Sequence, residues 1–340
     1  MSTSLIVLLP VVLLGIVATF CFVGCAFHTG GLGGTAFTAY TNSTVMNPLC
    51  IGYWPLKEKM DTDDAADMIS VNNGKYKDPN TAPELYPWPA YSVPTGSGPD
   101  IQSAAGAGTL AQGQPTIVAG DTDLPGGAGN TVPPGCMVVN GAYVDVPWHT
   151  KFIPQNSFTV EAWVRPDWTA TDPQADRFVL DLRDFNPGTG FGLSAQADPN
   201  QPGVYHWAGI LGTGGAGMKS FVTVVGDEIV LGSSGTPAKP VYLALTYDAP
   251  TQTLTLVVNG GGEGGGGTTS LPGIPYMPNT TQPLWIGAGA SYVPRRPQPD
   301  GTLGSPLFPF VGAIQDVAIF RDILSPTDIS TRYRNGTGTS

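Results

Sequence analysis

Apolar residues follow two different rhythms along this chain of 340 residues. From Leu5 to Phe27 they run almost without interruption and without a charge (LIVLLPVVLLGIVATFCFVGCAF), and roughly 20 such residues are what a helix needs to cross a hydrocarbon layer. That stretch predicts one N-terminal transmembrane helix. From Cys136 onward the rhythm is alternation. In Phe158–Arg165, residues Phe158, Val160, Ala162 and Val164 share one strand face while Glu161, Trp163 and Arg165 share the other. Val241–Tyr247 and Thr253–Val258 repeat this period, and Asp248–Gln252 between them reads as a hairpin turn. Further strands are predicted at Phe178–Leu182, Gly190–Ala195, Val204–Leu211, Phe221–Val225, Leu284–Ala288 and Gly312–Phe320. Many strands with little helix predict an all-β protein, a two-sheet antiparallel sandwich.

One helix of the body is written clearly. Ser325 is an N-cap, Pro326 fits the first helical position, Asp328 completes the capping pattern, and Gly336 is the expected stop. Residues 28–48, rich in Gly, Thr and Ser, read as a flexible stalk. The domain layout expected is therefore an anchor at 1–27, a stalk at 28–48 and one large domain at 49–336. Within that domain, 78–135 is a Pro- and Gly-rich insertion, mostly without regular structure. Asn259–Gly267 carries too many glycines for a strand interior and is expected to be a loop.

Three fates are open to the apolar N-terminus: retained anchor, cleaved signal peptide, or signal ending at a lipid-modified Cys25. The leading Met-Ser-Thr-Ser lacks Lys and Arg, and the apolar run exceeds a usual signal core, so retention is favoured. Three Asn-x-Ser/Thr sequons, at Asn42, Asn279 and Asn335, are permissive of an extracytoplasmic body. Beyond the membrane stretch only Cys50 and Cys136 remain, either as a disulfide tying down the insertion between them or as two separate buried thiols.

A net charge of −11 argues against a phosphate-backbone partner, and nucleic acid is set aside. Hydrolase chemistry finds little support. A glycosidase needs two carboxylates on one strand face, and the acidic clusters Asp181–Asp184 and Asp227–Glu228 place theirs on opposite faces. His28, His149 and His206 are scattered, which suits neither zinc nor a nucleophilic triad.

The order of strand motifs resembles the laminin-G-like jelly rolls of the concanavalin A-like lectin and glucanase superfamily. Ile51–Leu56 is similar to the opening strand and Ala65–Tyr76 to the Asp-rich segment after it. Asn140–Pro147, Phe158–Pro166, Tyr242–Asn259, Leu284–Gly287 and Phe310–Tyr333 follow in the family's order. The resemblance implies a jelly-roll fold and, in some members, a structural Ca2+ near such a loop, for which Asp67, Asn72, Asn73 and Asp316 are the candidates. The alternative is that Asp67 makes a turn and Asp316 bonds backbone amides. For a sugar ligand, Trp163, Tyr205 and Trp207 would offer aromatic faces and Arg183 a planar donor; the alternative is that these are strand aromatics of the core. Two roles follow. One is a non-catalytic recognition or adhesion module for glycan or protein, tethered to the bilayer by residues 5–27 and displayed outside the cytoplasm. The other is a structural subunit whose apolar helix and sandwich contact neighbouring subunits.

Overall fold

The computed structural model describes residues 39–58, 63–70, 72–77, 110–118, 135–170, 172, 175–185, 187–215, 220–233, 236–261, 267–289 and 308–338. The apolar stretch at 5–27 and most of the insertion at 78–135 lie outside them. Among the described residues no helix is long and apolar enough to cross a membrane.

Two eight-stranded antiparallel sheets make up the body. The first runs in the order β16 (Thr268–Leu271), β15 (Thr253–Val258), β14 (Val241–Asp248), β7 (Phe158–Pro166), β18 (Val311–Phe320), β5 (Gly135–Asn140), β4 (Leu110–Pro115), with β1 (Cys50–Trp54) also on β18. The second runs β13 (Phe221–Glu228), β12 (Tyr205–Gly212), β11 (Phe191–Ala197), β8 (Arg177–Asp181), β17 (Leu284–Ile286), β6 (Tyr143–Val146), β3 (Gly74–Lys77), β2 (Asp64–Ala65). A small ribbon, β9 (Asp184–Phe185) with β10 (Gly188–Thr189), follows β8.

Alternation decides which side chains meet between the sheets. Phe158, Val160, Ala162 and Val164 of β7 join Leu243, Leu245 and Tyr247 of β14, and face Leu193, Ala195, Trp207 and Leu211 of the second sheet. The period-2 reading is thus confirmed, hairpin turn included: β14 ends at Asp248 and β15 starts at Thr253.

The longest strand, β18, is buried along its whole length. One of its edges pairs with β7, and the other is shared end to end by β5, opposite Val311–Ile314, and β1, opposite Val317–Phe320. The changeover falls at Asp316, where the strand bulges and the backbone turns to φ 55°. Asp is among the few non-glycine residues that tolerate this region. The bulge is held by its own bonds: the Asp316 N–H donates to the Pro55 carbonyl (3.1 Å), and its carboxylate accepts from the Tyr53 hydroxyl (2.5 Å) and from Gln315 Nε2 (3.0 Å).

This register corrects the disulfide expectation. Cys50 stands opposite Phe320, and Cys136 lies one residue before Met137, which faces Ile314. About five positions of β18 separate them, roughly 15 Å at ~3.3 Å per residue, beyond the ~7 Å reach of a disulfide. Both are free, buried thiols.

Two helices cover the outer side of the first sheet. Residues Ala39–Val45, inside the expected stalk, form a helix here called α1, and its Tyr40, Thr41 and Thr44 are buried. The described fold therefore includes a helix about ten residues before its aromatic opening strand. The expected C-terminal helix, α2 (Pro326–Thr337), carries the full Ser325–Asp328 capping box. It continues past Gly336 and stops at Gly338, which takes the left-handed conformation at φ 69°. Gly336 serves closeness instead: a Cβ there would stand 2.2 Å from the Trp163 ring.

Two outcomes follow. Replacing Gly336 with Ala should lower stability by about 1–3 kcal/mol in urea titrations, against alanine's better helix propensity, because Trp163 has no room to retreat. Burial pushes the Cys136 thiol up to about 12 and raises that of Cys50 as well. Peptide mass spectrometry should therefore find both unalkylated at pH 8 in the native protein and both modified in denaturant, since little thiolate exists below the raised value.

Candidate binding face on the second sheet

Direct cross-strand neighbours point to the same side of a sheet, so the registers of the second sheet define its outer face. Across seven strands one row reads Lys75, Asp145, Trp285, Asp181, Gly192, Ile210, Thr223. A second row reads Phe178, Ser194, Ala208, Val225. The intervening residues, such as Val144, Ile286, Leu180 and Leu193, belong to the core.

In the middle of this face sits an arginine in fixed geometry. The chain leaves β8 at Asp181, and Arg183 folds back on it: Nε donates to Oδ1 (2.7 Å), Nη2 to Oδ2 (3.1 Å), and the Arg183 backbone N–H to Oδ1 (3.1 Å). Such a two-point pair fixes orientation as well as charge. The guanidinium lies 4.4 Å from the Phe178 ring centre and 5.5 Å from that of Phe221. Gly192 lies beneath it, where a Cβ would make ordinary contact with Arg183 Nε (3.5 Å) and the Phe178 ring (3.4 Å).

Beside it, Trp285 is held in the same manner. Its indole N–H donates to Asp145 Oδ1 (3.2 Å), Tyr143 meets it edge-on at 5.9 Å, and Phe221 packs against it. Among the described residues the Ser194 hydroxyl, fully buried on this face, has no hydrogen-bond partner. Leaving such a group unmet costs about 1–3 kcal/mol. At the margin, Asp184 accepts from Thr281 Oγ1 (3.0 Å) and Gln282 Nε2 (3.2 Å).

Of the four residues expected to stack on a sugar, only Arg183 lies on this face. Tyr205 and Trp207 belong to the core between the sheets. Trp163 is on the outer side of the first sheet, stacked on Tyr333 (5.8 Å, 12°) beneath α2. The face holds instead Phe178, Asp181, Trp285 and Asp145. The signal for them was present, because Val144-Asp145-Val146 and Leu284-Trp285-Ile286 each set a polar or amphipathic residue between two apolar ones.

The residues expected to hold calcium are brought together only in part. Asp67 Oδ1 accepts the backbone N–H groups of Tyr53 (3.1 Å) and Ile69 (3.0 Å), and Oδ2 the Ser70 hydroxyl. Asn73 Oδ1 accepts the Asp67 N–H (3.0 Å), while the Asn72 carbonyl accepts the Trp54 indole N–H (3.0 Å). These bonds knot the loop against β1. Asp316 stands at the far end of Tyr53, and the cation facing it is the Lys57 ammonium, 3.3 Å away. Calcium requires six to eight oxygens around one point. The four side chains do not converge in that way, and among the described residues no three His, Cys, Asp or Glu side chains cluster to hold a metal.

An antiparallel two-sheet sandwich with a patterned outer face defines the class of protein. The sequence profile of the concanavalin A-like lectin/glucanases superfamily matches residues 139–330, over half of the chain, and the chain belongs to that superfamily. Similar solved structures include the binding domain of Paraclostridial Mosquitocidal Protein 1, with 11% identity and TM-score 0.40 over 59% of this chain and 43% of that one. Another is the Ruminococcus gnavus IT-sialidase CBM40 bound to alpha2,6 sialyllactose, with 15% identity and TM-score 0.36 over 53% of this chain and 84% of that one. A third is a SAP-like pentraxin from Limulus polyphemus, with 13% identity and TM-score 0.35 over 53% and 70%. The chain thus spans less than half of the first of these structures. No curated protein sequence matches it.

The Asp181–Arg183 pair is open to measurement. Arg183→Met leaves a buried carboxylate without its cation and should cost about 3–5 kcal/mol in urea unfolding, whereas adding Asp181→Asn should restore much of that loss. A double-variant loss equal to the sum of the Arg183→Met and Asp181→Asn losses would show that the pair is not coupled.

Proposed function

We propose that the chain is a non-catalytic recognition module that binds a glycan or protein through the outer face of its second sheet. Displayed outside the cytoplasm, it is tethered to a bilayer by residues 5–27. The observation that carries this reading is the half-buried rim of Tyr143, Asp145 and Phe221, backed by two buried, immobilised planar groups, the Arg183 guanidinium held by Asp181 and the Trp285 indole held by Asp145. A rim whose partly exposed groups are braced by buried, fixed neighbours is preorganised for carbohydrate or polar protein surfaces, because it then loses little freedom on binding.

Asp145 and Asp181 share this face on either side of Trp285, yet the arrangement favours binding over hydrolysis. Both oxygens of the buried Asp181 accept from Arg183, so the second carboxylate that a glycosidase needs beside Asp145 is committed to an ion pair.

Glycan and extracellular-protein arrays probed with the purified chain should give saturable binding that Asp145→Ala and Tyr143→Ala weaken at least tenfold while both variants stay folded at the assay temperature. Both residues are half-buried at the margin of the face. Binding unaffected by either variant would remove this face from consideration. The tether has its own test: the native chain should stay in the membrane pellet at alkaline pH while added protease digests the sandwich from outside intact cells. Release into the supernatant would exclude a retained anchor, and stoichiometric purification in a large assembly without any ligand would favour the subunit role.

A further inference from the structure

Outside the binding face, the most heavily bonded charged cluster of the described residues lies on the opposite side of the sandwich. Glu161, in the middle of β7, is fully buried on the outer side of the first sheet. Four donors converge on its carboxylate. Tyr40 of α1 donates its hydroxyl to Oε1 (2.7 Å) and Tyr242 of β14 to Oε2 (2.5 Å); Arg332 of α2 donates Nε to Oε2 (2.7 Å) and Nη2 to Oε1.

The same guanidinium then reaches back to α1. Nη1 donates to Ser43 Oγ (3.1 Å) and Nη2 to Thr44 Oγ1 (2.6 Å), and the Tyr40 ring lies 4.9 Å from the guanidinium carbon. Burial first, and the Glu161 charge second, hold the Tyr40 and Tyr242 hydroxyls far above their ordinary range, so both remain donors at any working pH. Burial alone would lower the Arg332 guanidinium, but the Glu161 charge and hydrogen bonds together with the Tyr40 and Tyr242 hydroxyls more than offset it and hold it above its ordinary range.

Helix α1, through Tyr40, Ser43 and Thr44, and helix α2, through Arg332, thus meet at one charge pair. We infer that α1 is a detachable latch: it seals the Glu161–Arg332 pair from water, and its release loosens α2 while the sheets stay folded. The physical asymmetry is clear. α1 has seven residues, too few to be helical alone, and no strand pairing holds it. β7 and β14 are each paired on both sides. When α1 leaves, Arg332 loses two hydroxyl acceptors and a covering ring, Glu161 loses one donor, and water reaches the pair, which lowers what α2 gains from it. Any load applied through the chain before residue 39 meets α1 first. This holds whatever the second sheet binds.

Hydrogen exchange of the full chain, read by mass spectrometry, tests the coupling. Tyr40→Phe removes one hydroxyl, and Thr44→Val removes one acceptor of Arg332 with little change in shape. Each should speed exchange in peptides covering 39–45 and 326–337 together, on the order of tenfold, as expected for a lost hydrogen bond to a charged group. Peptides of β14, 241–248, should keep their wild-type rates. Faster exchange confined to 39–45 would show that the two ends are independent and overturn the inference. A uniform rise through β14, unfolding of both variants, or no change in either helix would overturn it equally.

Discussion

A full negative charge in the middle of a sheet buried on both sides is the constraint around which the first sheet is organised. Glu161 alternates out of the sandwich core, and in an ordinary antiparallel sheet that would place it in water. Here the outer side is covered, and desolvating a carboxylate is tolerable only when a countercharge and further donors replace the water. Arg332, Tyr40 and Tyr242 supply them. The positions of α1 and α2 follow from that requirement, as does the aromatic packing of Trp163 with Tyr40, Tyr242 and Tyr333 around it.

The two outer faces of the sandwich have consequently taken different roles. The first is closed by the chain's own ends. The second carries Arg183 and Trp285, each fixed by an aspartate on the same sheet, so its polar groups are ordered by local pairs rather than by a covering helix. That division also places the start of the described domain on the side opposite the candidate binding face.

The residues that the family resemblance offered to calcium are engaged in bonds within the protein. Asp67 spends its oxygens on the backbone of Tyr53 and Ile69, and Asp316 steadies a bulge with Lys57 as its cation. The bulge is what allows one long strand to pair with β5 and β1 in turn, and so it fixes where the opening strand enters the sheet.

Alternation by itself determined the strands of the body, the β14–β15 hairpin and the fold class, because a half-buried strand must repeat every second residue. Ser325-Pro326-x-Asp328 determined the start of α2, since a capping box is local chemistry. Stacking at Trp163, Tyr205 and Trp207 could not be read correctly in that way: period 2 separates two faces of a strand without saying which is covered, and in β7 both are. The helical state of residues 39–45 also escaped the sequence, because Ala-Tyr-Thr-Asn-Ser-Thr-Val is short, has little helix propensity of its own and is fixed by partners about 120 and 290 residues away. The separation of Cys50 from Cys136, the Asp316 bulge and the meeting of Asp145, Trp285, Asp181 and Arg183 on one face were likewise decided by strand order and register. Those depend on long-range pairing that no local pattern encodes.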